Sequence, residues 1–243
     1  MVCGLIGGSG SGKSTLARSL VETLGPDQVA VLPFDAYYRD MDHLDLAGRA
    51  EVNWDHPSSL DVELFVEHLD GLRHGEAVGV PVYDFTGYRR TGDWELVEPR
   101  PIVVAEGILL GATEETRLRL DLSVFLDVPE EVRFRRRLRR DVADRGRSPG
   151  DVERQFRDSV SPMHEEFVQP ASRRADLVVE HPWDTREVTD RVVDSLRTVG
   201  RRTHPVPLGS FPRGIVGRPS PAEQTRVSAT VGHGPTRAGR RSR

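Results

Sequence analysis

Val2-Cys3-Gly4-Leu5-Ile6-Gly7-Gly8-Ser9-Gly10-Ser11-Gly12-Lys13-Ser14-Thr15 opens the chain almost at once, and how it is read decides the fold. Val2 to Ile6 is a short apolar run of the kind found in buried parallel strands. After the glycines, Leu16, Ala17, Leu20, Val21 and Leu24 recur at helical spacing. Strand, glycine loop and helix in that order let backbone N–H groups and a helix N-terminus cradle phosphate. The pattern G-x-x-x-x-G-K-S then assigns Gly7, Gly8, Ser9, Gly10, Ser11, Gly12, Lys13, Ser14 and Thr15 to nucleotide binding. Lys13 goes to the terminal phosphates and the Ser14 hydroxyl to Mg²⁺. A flexible Gly/Ser linker is the competing reading, and it would need neither the strand nor the helix.

The chain carries 34 lysines and arginines, and Lys13 is its only lysine. A compact ammonium sits among β- and γ-phosphate oxygens where a planar guanidinium does not fit. The retained lysine therefore argues for a bound nucleoside triphosphate.

Composition narrows the class. With 243 residues, a net charge of −4 and 30% charged residues, the sequence reads as one α/β domain rather than a polycation that seeks nucleic acid. Cys3 is the single cysteine, which rules out an intrachain disulfide framework and fits a reducing cytoplasm. The first apolar run is too short for a signal peptide or a membrane span.

Further strands are expected at Val29 to Leu32, Ile102 to Ala105, Leu122 to Leu126 and Leu177 to Val179, with helical stretches between them. Leu60 to Leu72 reads as a helix with Ser58 or Ser59 as N-cap. Val78 to Tyr83 and Trp94 to Val97 read as a small antiparallel excursion. Alternating strand and helix predicts a parallel sheet covered on both faces, with ligands at the carboxyl ends of its strands. From Thr203 the sequence turns to Pro, Gly, Ser and Arg without apolar periodicity. That divides the chain into a domain over 1–202 and a disordered tail over 203–243.

Two acids follow predicted strands. Asp35 could accept a proton from an attacking hydroxyl, or form a turn or N-cap. Glu106 could share Mg²⁺ with Ser14, or cap a helix. The helix after Pro129 is rich in arginine. In it Phe134, Leu138 and Val142, at i, i+4 and i+8, predict a docked apolar stripe. Its arginines suit a lid over triphosphate oxygens, spanning about 133–150, or a grip on nucleic acid. The acidic net charge favours the lid. Arg135 and Arg139 read as a solvated face paired with acids such as Asp141 and Asp144.

In order along the chain stand Gly7 to Thr15, Asp35-Ala36-Tyr37-Tyr38-Arg39, Asn53-Trp54-Asp55-His56-Pro57 and Pro81-Val82-Tyr83-Asp84-Phe85. Glu106-Gly107-Ile108, Arg136-Arg137 through Arg140-Asp141 to Arg145-Gly146-Arg147, and Ala175-Asp176-Leu177 follow. This ordered set resembles the uridine kinases (uridine-cytidine kinases) of the P-loop nucleoside kinases, with phosphoribulokinase-like enzymes as more distant relatives. The resemblance implies a P-loop NTPase fold, a small β-hairpin and an arginine-rich lid helix. It also implies 5′-phosphorylation of uridine or cytidine in pyrimidine salvage, with ATP or GTP as donor and Mg²⁺ as cofactor.

By the same resemblance Asp35 is the base, and Asp55 and Arg137 hold the ribose hydroxyls. Tyr83, Arg147 and Gln155 line the nucleoside pocket, and Arg140 and Arg145 lie near the transferred phosphate. Where the family commonly has a histidine facing the base, this chain has Tyr88. That leaves open a kinase for another hydroxylated metabolite, such as a sugar phosphate or vitamin precursor. A non-catalytic nucleotide-dependent or nucleic-acid-binding regulator is the remaining alternative. Partners implied are a nucleoside substrate and further copies of the chain, commonly four, with neither nucleic acid nor membrane.

Overall fold

The computed structural model describes residues 1–203. Its centre is a sheet of β1 (Val2–Ile6), β2 (Val29–Pro33), β5 (Ile102–Gly107), β6 (Leu122–Asp127) and β7 (Leu177–Glu180). The strands lie in the order β2-β5-β1-β6-β7, and every neighbouring pair is parallel. β3 (Val78–Asp84) and β4 (Arg89–Val97) form a separate antiparallel ribbon. The remaining helices are α1 (Lys13–Leu24), α2 (Leu46–Ala50), α3 (Val62–Arg73), α4 (Glu114–Arg117), α5 (Glu130–Arg145), α6 (Pro149–Gln155), α7 (Ser161–Met163) and α8 (Thr185–Thr203). Two π-helical turns, Phe156–Val160 and His164–Val168, flank α7 and continue into a 3₁₀ turn over Gln169–Arg174.

The sheet is buried on both faces because its strands alternate between two cores. Val2 and Ile6 of β1, Val103 and Ala105 of β5 and Phe125 of β6 face one side, toward Phe65 and Leu69 of α3. Cys3, Leu5, Val104, Val124 and Leu126 face the other, toward Leu16 and Leu20 of α1 and Val192 and Leu196 of α8. Burying such a leucine stabilises the fold by about 1.5–3 kcal/mol before entropy is counted. The same burial pushes the Cys3 thiol up to about 12, so this lone cysteine stays a neutral thiol.

Among the described residues no helix is long and apolar enough to cross a membrane. The expected tail over 203–243 lies outside the described residues except for Thr203, the last residue of α8.

Three expectations need correction. The cap of α3 is Asp61, whose Oδ1 accepts from the N–H of Leu64 at 3.3 Å, rather than Ser58 or Ser59. Pro57–Ser59 instead forms its own 3₁₀ turn, with Ser59 Oγ donating to the carbonyls of Trp54 and His56. The second hairpin strand begins at Arg89 rather than Trp94, because polar Arg89 and Arg90 pair with Asp84 and Tyr83 without needing an apolar pattern. Finally, the predicted stripe on α5 is displaced by one residue. Val142 is 38% exposed, whereas the buried positions are Arg133, Arg137 and Asp141, at i, i+4 and i+8. Phe134 still packs, with its ring 5.0 Å from that of Phe156.

Candidate active site

The loop between β1 and α1 is shaped by glycine. Gly12 caps α1 at φ 104, and Gly10 has φ 81 with no room for a side chain, since a Cβ there would sit 2.5 Å from the Arg133 carbonyl. Helix α1 starts with no side-chain cap and no acid in its first turn, so its leading N–H groups are left for an anion. Lys13 is 6% exposed and donates from Nζ to the carbonyls of Gly7 and Gly8 at 3.0 and 3.1 Å. Burial lowers its pKa, against the pull of Glu106 and Asp35.

Ser14 Oγ donates to Glu106 Oε1 at 2.8 Å, so the two expected metal ligands meet across the end of β5. Burial pushes the Glu106 carboxyl up, opposed by Lys13. One hydroxyl and one carboxylate are hard oxygen donors of the kind Mg²⁺ takes beside phosphates and waters. Thr15 lies exposed in the first turn of α1.

A second pocket opens beside the loop. Ser9, Asp35, Asp55, Tyr83, Phe85, Tyr88, Arg137, Arg140, Arg145, Arg147 and Gln155 line it, with Tyr38, Trp54 and Ile108. Asp35 stands in the 3₁₀ turn after β2 (Phe34–Tyr37), and its Oδ1 is buried without a hydrogen-bond partner. The cap position of that turn is Pro33, and no side chain caps it. Asp55 is 5% exposed and accepts from Ser159 Oγ at 3.0 Å. Burial raises its pKa, with Arg137 opposing.

Aromatic rings build the far wall. Tyr88 lies nearly parallel to Trp54, at 17° and 6.0 Å, and Arg147 covers Tyr88 at 5.0 Å. Tyr88 occupies φ 52, a conformation non-glycine residues seldom adopt. The Tyr83 hydroxyl is buried and unpartnered, and burial pushes its pKa up, so it presents a neutral phenol.

Arginines of α5 and of the residue pair after it line the pocket as well. Arg140 Nη2 donates to Ser9 Oγ at 3.3 Å, and Arg137 and Arg147 both donate to Gln155 Oε1, at 2.8 and 2.9 Å. The Arg145 guanidinium lies 4.4 Å over Phe85. Burial and neighbouring Arg140 bring Arg145 down to about 10. Every acceptor-side and lid residue singled out in the sequence thus lines one cavity. Asp55 and Arg137 share it without an ion pair between them.

Asp141 was misplaced by sequence reasoning. It is fully buried and pairs with Arg137, Arg140, Arg145 and Arg147, while Arg135 and Arg139 remain exposed. Ser159 was missed altogether, and Arg136 was read only as one of the lid arginines. Ser159 lies in a π-helical turn that no apolar period marks, and Arg136 donates to the Gly10 and Ser11 carbonyls at 3.3 Å. His164, packed behind the loop, carried no signal, and Arg133, read as the start of the lid, packs there as well. A Cβ at Gly8 would lie 2.7 Å from Arg133 Nη1 and 2.9 Å from His164 Nδ1.

Known proteins similar to this chain identify its family and fold. Residues 2–186 match the model of the phosphoribulokinase / uridine kinase family. A uridine kinase of Chloroflexus aggregans is 44% identical over 178 residues, covering 73% of this chain and 85% of the relative. One of Deinococcus deserti is 42% identical over 197 residues, covering 81% and 95%. In fold, the chain is similar to a putative fructose transport system kinase from Silicibacter, with a TM-score of 0.59 and 24% identity over 74% of this chain and 89% of that one. A D-glycerate 3-kinase from Cryptococcus neoformans has a TM-score of 0.53 and 17% identity, over 70% and 79%. With a P-loop fold, a buried loop lysine and a family match over most of its length, the chain belongs to the phosphoribulokinase / uridine kinase family of kinases.

Proposed function

We propose that the protein transfers a phosphoryl group from ATP or GTP to the 5′-hydroxyl of a pyrimidine ribonucleoside, uridine or cytidine, in cytoplasmic salvage. The observation that carries this reading is the pocket that runs from Ser9 of the phosphate loop, past Asp35 and Asp55, to the aromatic wall at Tyr83 and Tyr88. The names of the 40–44% identical relatives support the choice of nucleoside.

Phosphoryl transfer asks mainly for positioning and charge stabilisation. In this reading Lys13 and the loop amides hold the donor phosphates. Ser14 and Glu106 would hold Mg²⁺, whose chemistry is to neutralise charge on the phosphate oxygens. Asp35 takes the proton of the attacking hydroxyl on its unpartnered Oδ1. Asp55, beside Arg137, accepts from the ribose 2′- and 3′-hydroxyls, and a deoxyribose would leave one buried acceptor unpaired. Tyr83, Tyr88, Arg147 and Gln155 contact the base. Arg140 and Arg145 stabilise charge on the group in transfer.

A second reading has its own support. Four arginines, Arg137, Arg140, Arg145 and Arg147, line the acceptor pocket, and Tyr88 stands where the resemblance expects histidine. That charge would suit an acceptor bearing a phosphate of its own. Incubating the protein with labelled ATP or GTP, Mg²⁺ and a panel of uridine, cytidine, 2′-deoxyuridine, adenosine and ribulose 5-phosphate separates the two. Labelled uridine or cytidine monophosphate is the expected product. Preferential labelling of the sugar phosphate would replace the first reading with the second.

A further inference from the structure

The carboxylate of Asp141 has no part in the chemistry above, yet more side chains converge on it than helix closure needs. Its Oδ1 accepts from Arg140 Nε at 2.9 Å and lies 3.3 Å from Arg145 Nη1. Its Oδ2 accepts from Arg147 Nη1 at 3.3 Å and lies 3.4 Å from Arg137 Nε. The two oxygens therefore sort four arginines into two pairs. The Oδ1 pair reaches the phosphate loop through Arg140 and Ser9, and the Oδ2 pair meets at Gln155 beside Tyr88.

We propose that Asp141 is a positioning residue that fixes the phosphate-facing arginines in register with the acceptor-facing ones before either substrate binds. The inference rests on the reading of these arginines as phosphate and acceptor ligands. Each long guanidinium loses rotamer freedom when it is ordered, and four like charges in one cleft repel. A buried carboxylate offsets both costs in advance. Burial by itself would push the Asp141 carboxyl up, but Arg137, Arg140 and Arg145 outweigh burial and hold it below its ordinary value.

A purely structural role would need only the backbone. The Asp141 carbonyl accepts the N–H groups of Gly146 and Arg147, closing α5 through a left-handed glycine at φ 64 and turning Arg147 back toward the pocket. The carboxylate accepts no backbone N–H of that turn, so Asp141→Asn retains the backbone bonds and removes the charge.

In the Asn variant we expect kcat to fall about tenfold or more and the acceptor KM to rise. Inorganic tripolyphosphate should compete with the donor at least as well as in the wild type, because one negative charge has left the cleft. A folded variant with wild-type kcat and KM overturns the proposal, as does an apparent kcat that falls only in proportion to the folded fraction while the acceptor KM stays at its wild-type value. Should Asp141→Asn fail to fold, the ligand-free wild type still decides. Its Arg140 Nε–H resonance, assigned by its loss in Arg140→Lys, should be protected from solvent exchange, and fast exchange overturns the proposal. If the wild type phosphorylates no nucleoside, the functional reading falls while this resonance still tests the Asp141 contact.

Discussion

The phosphate loop and helix α5 bring positive charge to the same cleft by different means. The loop does so with consecutive residues, using backbone N–H groups, three positive-φ glycines (Gly7, Gly10 and Gly12) and one lysine whose partners, Gly7 and Gly8, lie within six positions. Helix α5 and the residues just after it supply side chains spread over several turns, which contact Asp141 within the helix and Gln155, Ser9 and two aromatic rings outside it. Charge presented by local backbone geometry tolerates little change of residue type. Charge presented by long side chains depends on whatever holds them.

The contrast can be broken at several points. Asp35→Asn removes the one acceptor on which neither region can draw for a substitute. Turnover should fall by roughly 10²–10⁴ while donor affinity, read by calorimetry with a non-hydrolysable ATP analogue, stays near wild type. Wild-type turnover would mean Asp35 is not the base.

Lys13→Arg tests the loop. The ammonium is boxed in by two carbonyls, so a planar fork should displace the loop and lower kcat roughly 10²–10³-fold in a coupled assay. Near-normal kinetics would show that the loop tolerates either cation.

His164 probes the packing behind the loop. Burial and nearby Arg133 depress its pKa to about 4, from an ordinary 6.5. Between those values the unfolded chain binds a proton that the native protein does not, so stability is held above pH 6.5 and lost as the pH falls toward 4. The loss should approach about 3 kcal/mol. Urea titrations of wild type and His164→Phe across that range should converge on acidification. A constant gap would show that His164 does not titrate this way.

The smallest effects separate the expected and observed faces of α5. Phe134→Ala should cost about 2 kcal/mol through lost contact with Phe156, and Val142→Ala less than about 0.5. Equal costs by denaturant unfolding would restore the stripe read from the sequence.

Much of this molecule was legible in the residue order because its signals are local. The five sheet strands announced themselves as apolar runs, and the loop as a spaced glycine pattern in front of a helix. The acids Asp35 and Glu106 were found because each directly follows such a run. Legibility failed where polar groups replace the apolar pattern. On α5 the period-four signal of Phe134, Leu138 and Val142 was real, but burial follows Arg133, Arg137 and Asp141, where Arg137 and Asp141 are held by ion pairing and Arg133 Nε donates to the Val128 carbonyl. Ser159 could not be found at all, since a π-helical turn shifts its facing off the helical period.

The sequence by itself thus determined the parallel α/β sheet and the phosphate loop with its single lysine, while the family resemblance named most of the residues that line the pocket. Only the tertiary structure decided which of them touch. It left Asp35 Oδ1 without a partner, drew Ser14 onto Glu106, and gathered four arginines around Asp141. The physical reason is that strands and loops are set by short-range backbone preferences. The aim of a long charged side chain is set by desolvation and by whichever charged and polar partners the packed fold brings to it, near or far along the chain.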